Sequence, residues 1–349
     1  YLPFSSFLQW ARSGSYLTKD SATLGAAYFR VGPEAVKHIQ PNNLSRWAAL
    51  GRSLYKGTWK SSTLSASFFD LSPSLLKALS FPDLETFTNL IESLSARSYD
   101  LAGECLTIGN TVLGSMGRER SSFLILWQTL SENSWRDIKG VLETYESSVS
   151  GIDEPLRNRF LSLTNLLVLH GAKDTPRFLA QGGSALGTLK TVEQEHILDL
   201  CERLLKRSPT SVAAFLNNLS VVINRVSMPQ LDFWFDHGVG ILSENPEGGL
   251  AYFKLESKTS EQMLEGLSSS IALEGISNLL HLYCSGLSGS DIEVKESSTL
   301  AGKNLGWVSA DIATTEGKNV YLPAMMDVFP TKKCNFDWYK VVSTHQVAR

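Results

Sequence analysis

Ala27-Tyr28-Phe29-Arg30-Val31-Gly32-Pro33-Glu34 is echoed 40 positions later by Ser67-Phe68-Phe69-Asp70-Leu71-Ser72-Pro73-Ser74. Each copy has an aromatic pair, then a small capping residue, then a proline suited to the first turn of a helix. Short apolar helices are expected after the prolines, at Ala35 to Ile39 and at Leu75 to Leu79. A second proline follows each, Pro41 or Pro82. Longer helices then carry Leu44, Trp47 and Leu50 in one copy and Leu84, Phe87 and Leu90 in the other. A period near 40 built from two or three helices is the size of a HEAT or armadillo unit. Such a unit cannot bury its apolar face alone, so copies stack into a solenoid. Trp135 to Tyr145 and Pro176 to Leu189 are degenerate further members.

Outside the repeat the texture stays helical. Val212, Phe215, Leu216, Leu219, Val222, Ile223 and Val226 form one amphipathic stripe, opened by Ser208 and Pro209. Phe87, Leu90, Ile91 and Leu94 form another. Leu161, Leu163, Leu166, Leu167 and Leu169 are dense enough to predict a helix buried on most sides. Leu264, Leu267 and Ile271, then Ile276, Leu279 and Leu280, predict two more helical stretches. Near residue 285 glycines appear at Gly286, Gly289, Gly302 and Gly306. Ile292-Glu293-Val294-Lys295 alternates like a half-buried strand, and Trp307-Val308-Ser309 and Asn319-Val320-Tyr321-Leu322 are β-prone. With Glu316-Gly317-Lys318 as a turn, a small β-hairpin is expected between about 291 and 322, and helix from Phe336 to Val347. The expected division is a helical repeat domain over 1–285 and a small β-containing subdomain with a terminal helix over 286–349.

Bulk properties exclude several classes. The chain has 349 residues, 43% of them hydrophobic, and a net charge of -3 from 32 basic and 35 acidic residues. No basic stripe suggests nucleic acid. No apolar run is long enough to cross a bilayer. Cys105, Cys201, Cys284 and Cys334 are far apart and read as reduced thiols, which fits the cytoplasm. Tyr1-Leu2-Pro3-Phe4 does not resemble a signal peptide, and both ends read as cuts in a longer protein. The sequons at Asn43 and Asn218 read as chance, the second because it lies in a helical stripe.

Chemistry is sparse. His38, His170, His196, His237, His281 and His345 are scattered and form no pair at metal-binding spacing. His345-Gln346-Val347-Ala348-Arg349 has the rhythm of a zincin helix, yet Gln346 stands where a general base belongs and Arg349 where the second zinc ligand belongs. No nucleophile elbow surrounds any serine. Gly187-Thr188-Leu189-Lys190 and the glycines from Gly103 to Gly117 lack phosphate-loop spacing, and Gly182-Gly183-Ser184 reads as a loop between helices. Asp232-Phe233-Trp234-Phe235-Asp236-His237 could gather a cation or an acid–base pair. It reads first as a helix end burying Phe233, Trp234 and Phe235. Trp10, Trp47, Trp59, Trp127 and Trp135 lie in helical stretches as anchors between repeats, with a few free to line a binding face. No residue is assigned a catalytic, cofactor-binding or metal-binding role.

Four C-terminal stretches are distinctive: Ala251 to Ser257, Leu279 to Gly289, Thr315 to Pro323 and Phe336 to Gln346. Together they resemble the region before the von Willebrand factor A domain in NorD/CbbO-type proteins, and the Tyr28-Phe29-Arg30-Val31-Gly32-Pro33 repeat resembles the helical portion of that family. The resemblance implies a partner, a MoxR-type AAA+ ATPase, and a client protein complex that the pair remodels or activates. It implies an A domain downstream, whose DxSxS magnesium site does not occur here. It transfers no catalytic residue.

The expectation is thus a mainly α fold, a HEAT/armadillo-like α-solenoid with a small β-hairpin subdomain near the C-terminus, serving as a non-catalytic protein-binding adaptor without nucleic acid, membrane span or cofactor. The alternatives are a degenerate zincin-like metallohydrolase completed beyond Arg349, and a helical-repeat scaffold with no ATPase link.

Overall fold

Helices begin where the sequence supplies an oxygen to cap them. Ser80, Ser98, Asn245, Ser257 and Thr331 each accept the backbone N–H three residues on, and Thr58 and Ser61 cap each other reciprocally. The computed structural model describes residues 3–301, 313–329 and 331–348. The chain is mainly α and divides into two units, Tyr1–Ser220 and Val221–Arg349.

The first unit contains α1 (Phe4–Asp20), α2 (Ala22–Ala35), α3 (Leu44–Ser53), α4 (Trp59–Ala78), α5 (Phe81–Ser95) and α6 (Tyr99–Ser115). It continues with α7 (Arg120–Asn133), α8 (Asp137–Val149), α9 (Glu154–Leu169), α10 (Thr175–Leu186) and α11 (Thr191–Leu205), and α12 (Pro209–Ile223) follows. Consecutive helices pair as hairpins, α1 with α2 through α9 with α10. Successive hairpins then stack. The even helices α2, α4, α6, α8 and α10 form one row, and the odd helices α1 to α11 form the other. This is the solenoid-like arrangement that a period near 40 requires.

Several polar contacts between neighbouring repeats fall at or near the same period. Arg30 pairs with Asp70 at 2.5 Å and Lys60 with Asp100 at 2.9 Å, both 40 apart in sequence. Arg159 holds Asp199, also 40 apart, and Glu202. Asp153 N–H donates to Gln194 Oε1, 41 apart. Between them lies a buried aromatic and aliphatic core including Tyr28, Trp47, Phe68, Phe69, Phe87, Trp127 and Phe160.

Pro33 and Pro73 correct one expectation. They do not start helices; they lie inside α2 and α4. A mid-helix proline costs roughly 3 kcal/mol. Tyr28, Phe68 and Phe69, just upstream, are buried between the rows. Their packing offsets that cost and carries the helix through. Pro41 and Pro82 sit at a 3-10 turn (Pro41–Asn43) and in the first turn of α5, as expected. α9 is less buried than its leucine density suggested: Leu161, Leu163 and Leu167 face the core, but Leu166 and Leu169 are exposed. Trp135 lies in the turn before α8 rather than in a helix.

The second unit begins with the hairpin of α13 (Met228–Glu244) and α14 (Pro246–Phe253), then α15 (Lys258–Leu267). Next come β1 (Ile271–Ala272), α16 (Leu273–Ser288), β2 (Glu293–Glu296), α17 (Ser297–Ala301), β3 (Thr314–Glu316), β4 (Asn319–Leu322), β5 (Met325–Met326) and α18 (Lys332–Val347). Ile271 is therefore in a strand, not at a helix end. The expected hairpin exists as β3 and β4, turned at Gly317 with φ 59. However, β2 joins it in parallel, giving the order β2-β4-β3, and β1 pairs antiparallel with β5. Trp307-Val308-Ser309, Gly302 and Gly306 lie outside the described residues. Leu273, Leu280, Cys284, Ile292, Val320, Leu322, Met326 and Tyr339 share one core. α16 runs through position 285, and its Leu280 and Cys284 pack with strand residues from beyond it. The division expected at 285 is thus not where the two units part.

Candidate functional site

One packing device recurs three times. Trp10 is followed four residues on by Gly14, Trp47 by Gly51, and Trp234 by Gly238. This spacing puts the glycine on the tryptophan's face of its helix. The next helix brings an aromatic pair: Tyr28-Phe29, Phe68-Phe69 or Tyr252-Phe253. A Cβ on Gly14 would meet the Phe29 ring at 2.2 Å, one on Gly51 the Phe69 ring at 2.1 Å, and one on Gly238 the Tyr252 ring at 2.6 Å. The second ring stands edge-on to the tryptophan each time, at 89° for Phe29, 90° for Phe69 and 90° for Phe253. Between the first and third hairpins the match extends further, at a constant offset of 224. Tyr28 and Tyr252 donate from their hydroxyls to the carbonyls of Trp10 and Trp234, at 3.3 and 3.0 Å. Gly25 abuts Thr18 as Gly249 abuts Leu242. The glycine-after-tryptophan spacing was present in the sequence, but the 40-residue echo covers only the aromatic pairs of the first two hairpins.

The three hairpins differ in what lies over them. Leu44 and Trp47, on the α3–α4 hairpin, are fully buried, because Tyr28 stacks on Trp47 with ring centroids 4.7 Å apart. Leu231 and Trp234, on α13, are also fully buried. On α1 the corresponding Phe7 is 47% exposed, and Phe4 is 76% exposed. Phe4, Phe7 and Trp10 from α1 and Gly32, Pro33 and Val36 from α2 and its end line an open apolar groove of about 800 Å³, rimmed by Lys37. Large apolar side chains grouped around a concavity mark an interaction surface more often than isolated ones do. This groove is the candidate functional site. A smaller groove of about 180 Å³ between α4 and α6 is edged by Trp59, 75% exposed, and Tyr99.

The residues singled out from the sequence do not gather around a reaction centre. His281 donates from Nδ1 to the Ile292 carbonyl at 2.6 Å and so fixes the entry to β2. His38 lies 3.8 Å from Glu34, and His237 packs on Tyr252. His170 is exposed at the end of α9, His196 is half-buried in α11, and His345 is exposed on α18. Gln346 is buried and tied down: Thr315 Oγ1 donates to its Oε1 at 2.8 Å, and its Nε2 donates to the Ala313 carbonyl at 3.3 Å. Its role is to dock α18 on β3. In the Asp232–His237 stretch, Trp234 and Phe235 are buried but Phe233 is exposed, so Phe233 is not part of the anticipated core; the stretch lies in the first half of α13, not at its end. Gly182 and Gly183 lie inside α10, not in a loop, and Gly183 packs directly on the Ser148 carbonyl. Among the described residues no group of three or more His, Cys, Asp or Glu could hold a metal. No described helix is long and apolar enough to cross a membrane.

Cys105, Cys201 and Cys284 are buried and Cys334 is exposed. Burial pushes the Cys105 thiol up to about 12 and raises Cys201 and Cys284 as well, which keeps these three protonated and unreactive. Comparisons with family models, with curated proteins and with solved structures find no match to this chain.

Proposed function

We propose that this chain is a non-catalytic protein-binding scaffold. The observation that carries the reading is the open groove on α1 and α2, lined by Phe4, Phe7, Trp10, Pro33 and Val36. Aromatic side chains in a desolvated pocket supply much of the energy at protein interfaces, and a rigid helical stack presents them with little loss of entropy on binding.

The finer reading rests on the resemblance to NorD/CbbO-type proteins: the chain is the helical adaptor segment of a von Willebrand A protein. On that reading it works in the cytoplasm with a MoxR-type AAA+ ATPase on a client complex. The test mixes the chain with the MoxR-type ATPase encoded beside it and follows co-elution and ATP hydrolysis. Co-elution, reduced by Phe7→Lys, supports the adaptor. No co-elution and unchanged hydrolysis remove the ATPase link and leave only the scaffold.

A further inference from the structure

We infer that the α3–α4 hairpin is an ionic-strength-sensitive latch within the first unit. Exposed ion pairs hold it to the hairpins on either side, and it loosens as salt screens them, whereas the joint between α8 and α10 does not. The inference concerns the first unit alone and stands whatever the scaffold binds. Five pairs reach out from this hairpin and its turn. Arg52 with Asp20 and Arg30 with Asp70 join it to α1–α2. Arg46 with Glu85, Lys56 with Glu92 and Lys60 with Asp100 join it to α5–α6. The five distances lie between 2.5 and 2.9 Å, and the five cations have 41–62% of their side chains exposed. An exposed pair contributes little by itself, and what it contributes falls with salt. Five at one hairpin act together. In a stack of repeats each hairpin is held by its neighbours, so weakening both of its junctions makes local opening easier.

The joint between α8 and α10 is built differently. Lys139 of α8 reaches Glu104 on α6 and Glu143 on its own helix, not α10. Towards α10 the contact is backbone against backbone. A Cβ on Gly183 would stand 2.0 Å from the Ser148 carbonyl oxygen, one on Gly151 2.6 Å from the Cα of Gly187, and one on Gly140 2.7 Å from the Pro176 ring. The Thr175 N–H donates to Asp137 Oδ2 at 3.3 Å. Glu119 and Arg157 cross the same junction 3.6 Å apart, but that carboxylate is 2% exposed and so shielded from salt. The glycine contacts carry no charge to screen.

The test is hydrogen–deuterium exchange of the full chain, read by mass spectrometry at about 0.1 M and about 1 M NaCl, between which the screening length falls from about 10 Å to about 3 Å. A digest of the unfolded chain corrects for the effect of salt on intrinsic exchange. Protected amides of α3 and α4 should exchange about threefold faster or more at the higher salt, and those of α10 should change by less than about 1.5-fold. In Arg46→Gln/Lys56→Gln/Lys60→Gln, exchange of α3 and α4 should already be raised at the lower salt, and the response to salt should shrink. Lys60→Gln alone, the milder change, should lie between this variant and the parent. Lys77→Gln, at an exposed site on α4 outside the five pairs, should respond as the parent does. Circular dichroism checks that each variant is folded. An equal response in α3–α4 and α10, or no response in α3–α4, would overturn the inference. So would Lys60→Gln and the triple variant both responding as fully as the parent, because the salt effect would then not pass through these pairs.

Discussion

At the scale of single residues, Gly51 carries the sharpest constraint. A methyl group there would meet the Phe69 ring at 2.1 Å, and that ring is fully buried. Overpacking a core costs about 1–3 kcal/mol. Gly51→Ala is expected to lower stability by that amount in urea denaturation. Gly103, on α6, faces open space, and a methyl group there would meet nothing within 4 Å. There the same substitution is expected to stabilise by up to about 1 kcal/mol through helix propensity, and equal effects at the two sites would sink the argument.

Glu119 makes a second residue-scale point. It is 2% exposed, accepts from the Tyr145 hydroxyl at 3.1 Å and lies 3.6 Å from Arg157. Burial pushes its carboxyl up, but the backbone N–H groups of Glu119 and Gly117, the Tyr145 hydroxyl and Arg157 outweigh burial and hold it below the usual carboxylate range. A carboxyl with a depressed folded pKa adds stability above its unfolded value, and that stability is lost as pH falls through the folded value. Glu119→Gln is therefore expected to destabilise at pH 7, with the difference from the parent shrinking below about pH 4. Urea midpoints from pH 3 to 7 check this. A difference that stays constant across the range would contradict it.

At the scale of elements, Leu255 ends the likeness between the first and third hairpins. Its φ is 59, so the chain turns after α14, whereas α2 continues to Ala35. A non-glycine residue in this left-handed region costs about 1–2 kcal/mol. Leu255→Gly is expected to raise the thermal midpoint by relieving that cost, and a lowered midpoint would mean that the Leu255 side chain contributes more by packing.

Elements also mark what the sequence made legible. The 40-residue echo located the repeat, because stacked hairpins must place equivalent residues at equal spacing. It misplaced the helix starts, since Pro33 and Pro73 are carried through by the burial of aromatic neighbours against helices far away in sequence. The β3–β4 turn was visible in Glu316-Gly317-Lys318 just before the β-prone run Asn319 to Leu322. The parallel pairing of β2 was not, because strand partners distant in sequence leave no local pattern. The groove was hidden for a related reason. Trp10 and Trp47 have like surroundings in sequence, yet Phe7 is exposed where the corresponding Leu44 is buried.

At the scale of the whole molecule, stability is shared between nearest neighbours in the first unit, as in other stacked repeats. Among the described residues, the α1–α2 hairpin is coupled to the stack through Tyr28 against Trp47, Arg30 with Asp70, and Arg52 with Asp20. Its amides are expected to exchange with deuterium faster than those of α6 to α8, which have neighbours on both sides. Uniform protection across the first unit would argue against nearest-neighbour coupling.

The most direct test of protein binding at the α1–α2 groove is site-specific photo-cross-linking in the cell of origin. A benzophenone side chain replaces Phe7 in one version of the protein and Val192 in another, both exposed positions. The expected result is a protein adduct formed from position 7, lost when Trp10→Ala is added, and absent from position 192. No adduct at position 7, or the same adducts from both positions, would contradict the assignment of this groove as the binding surface.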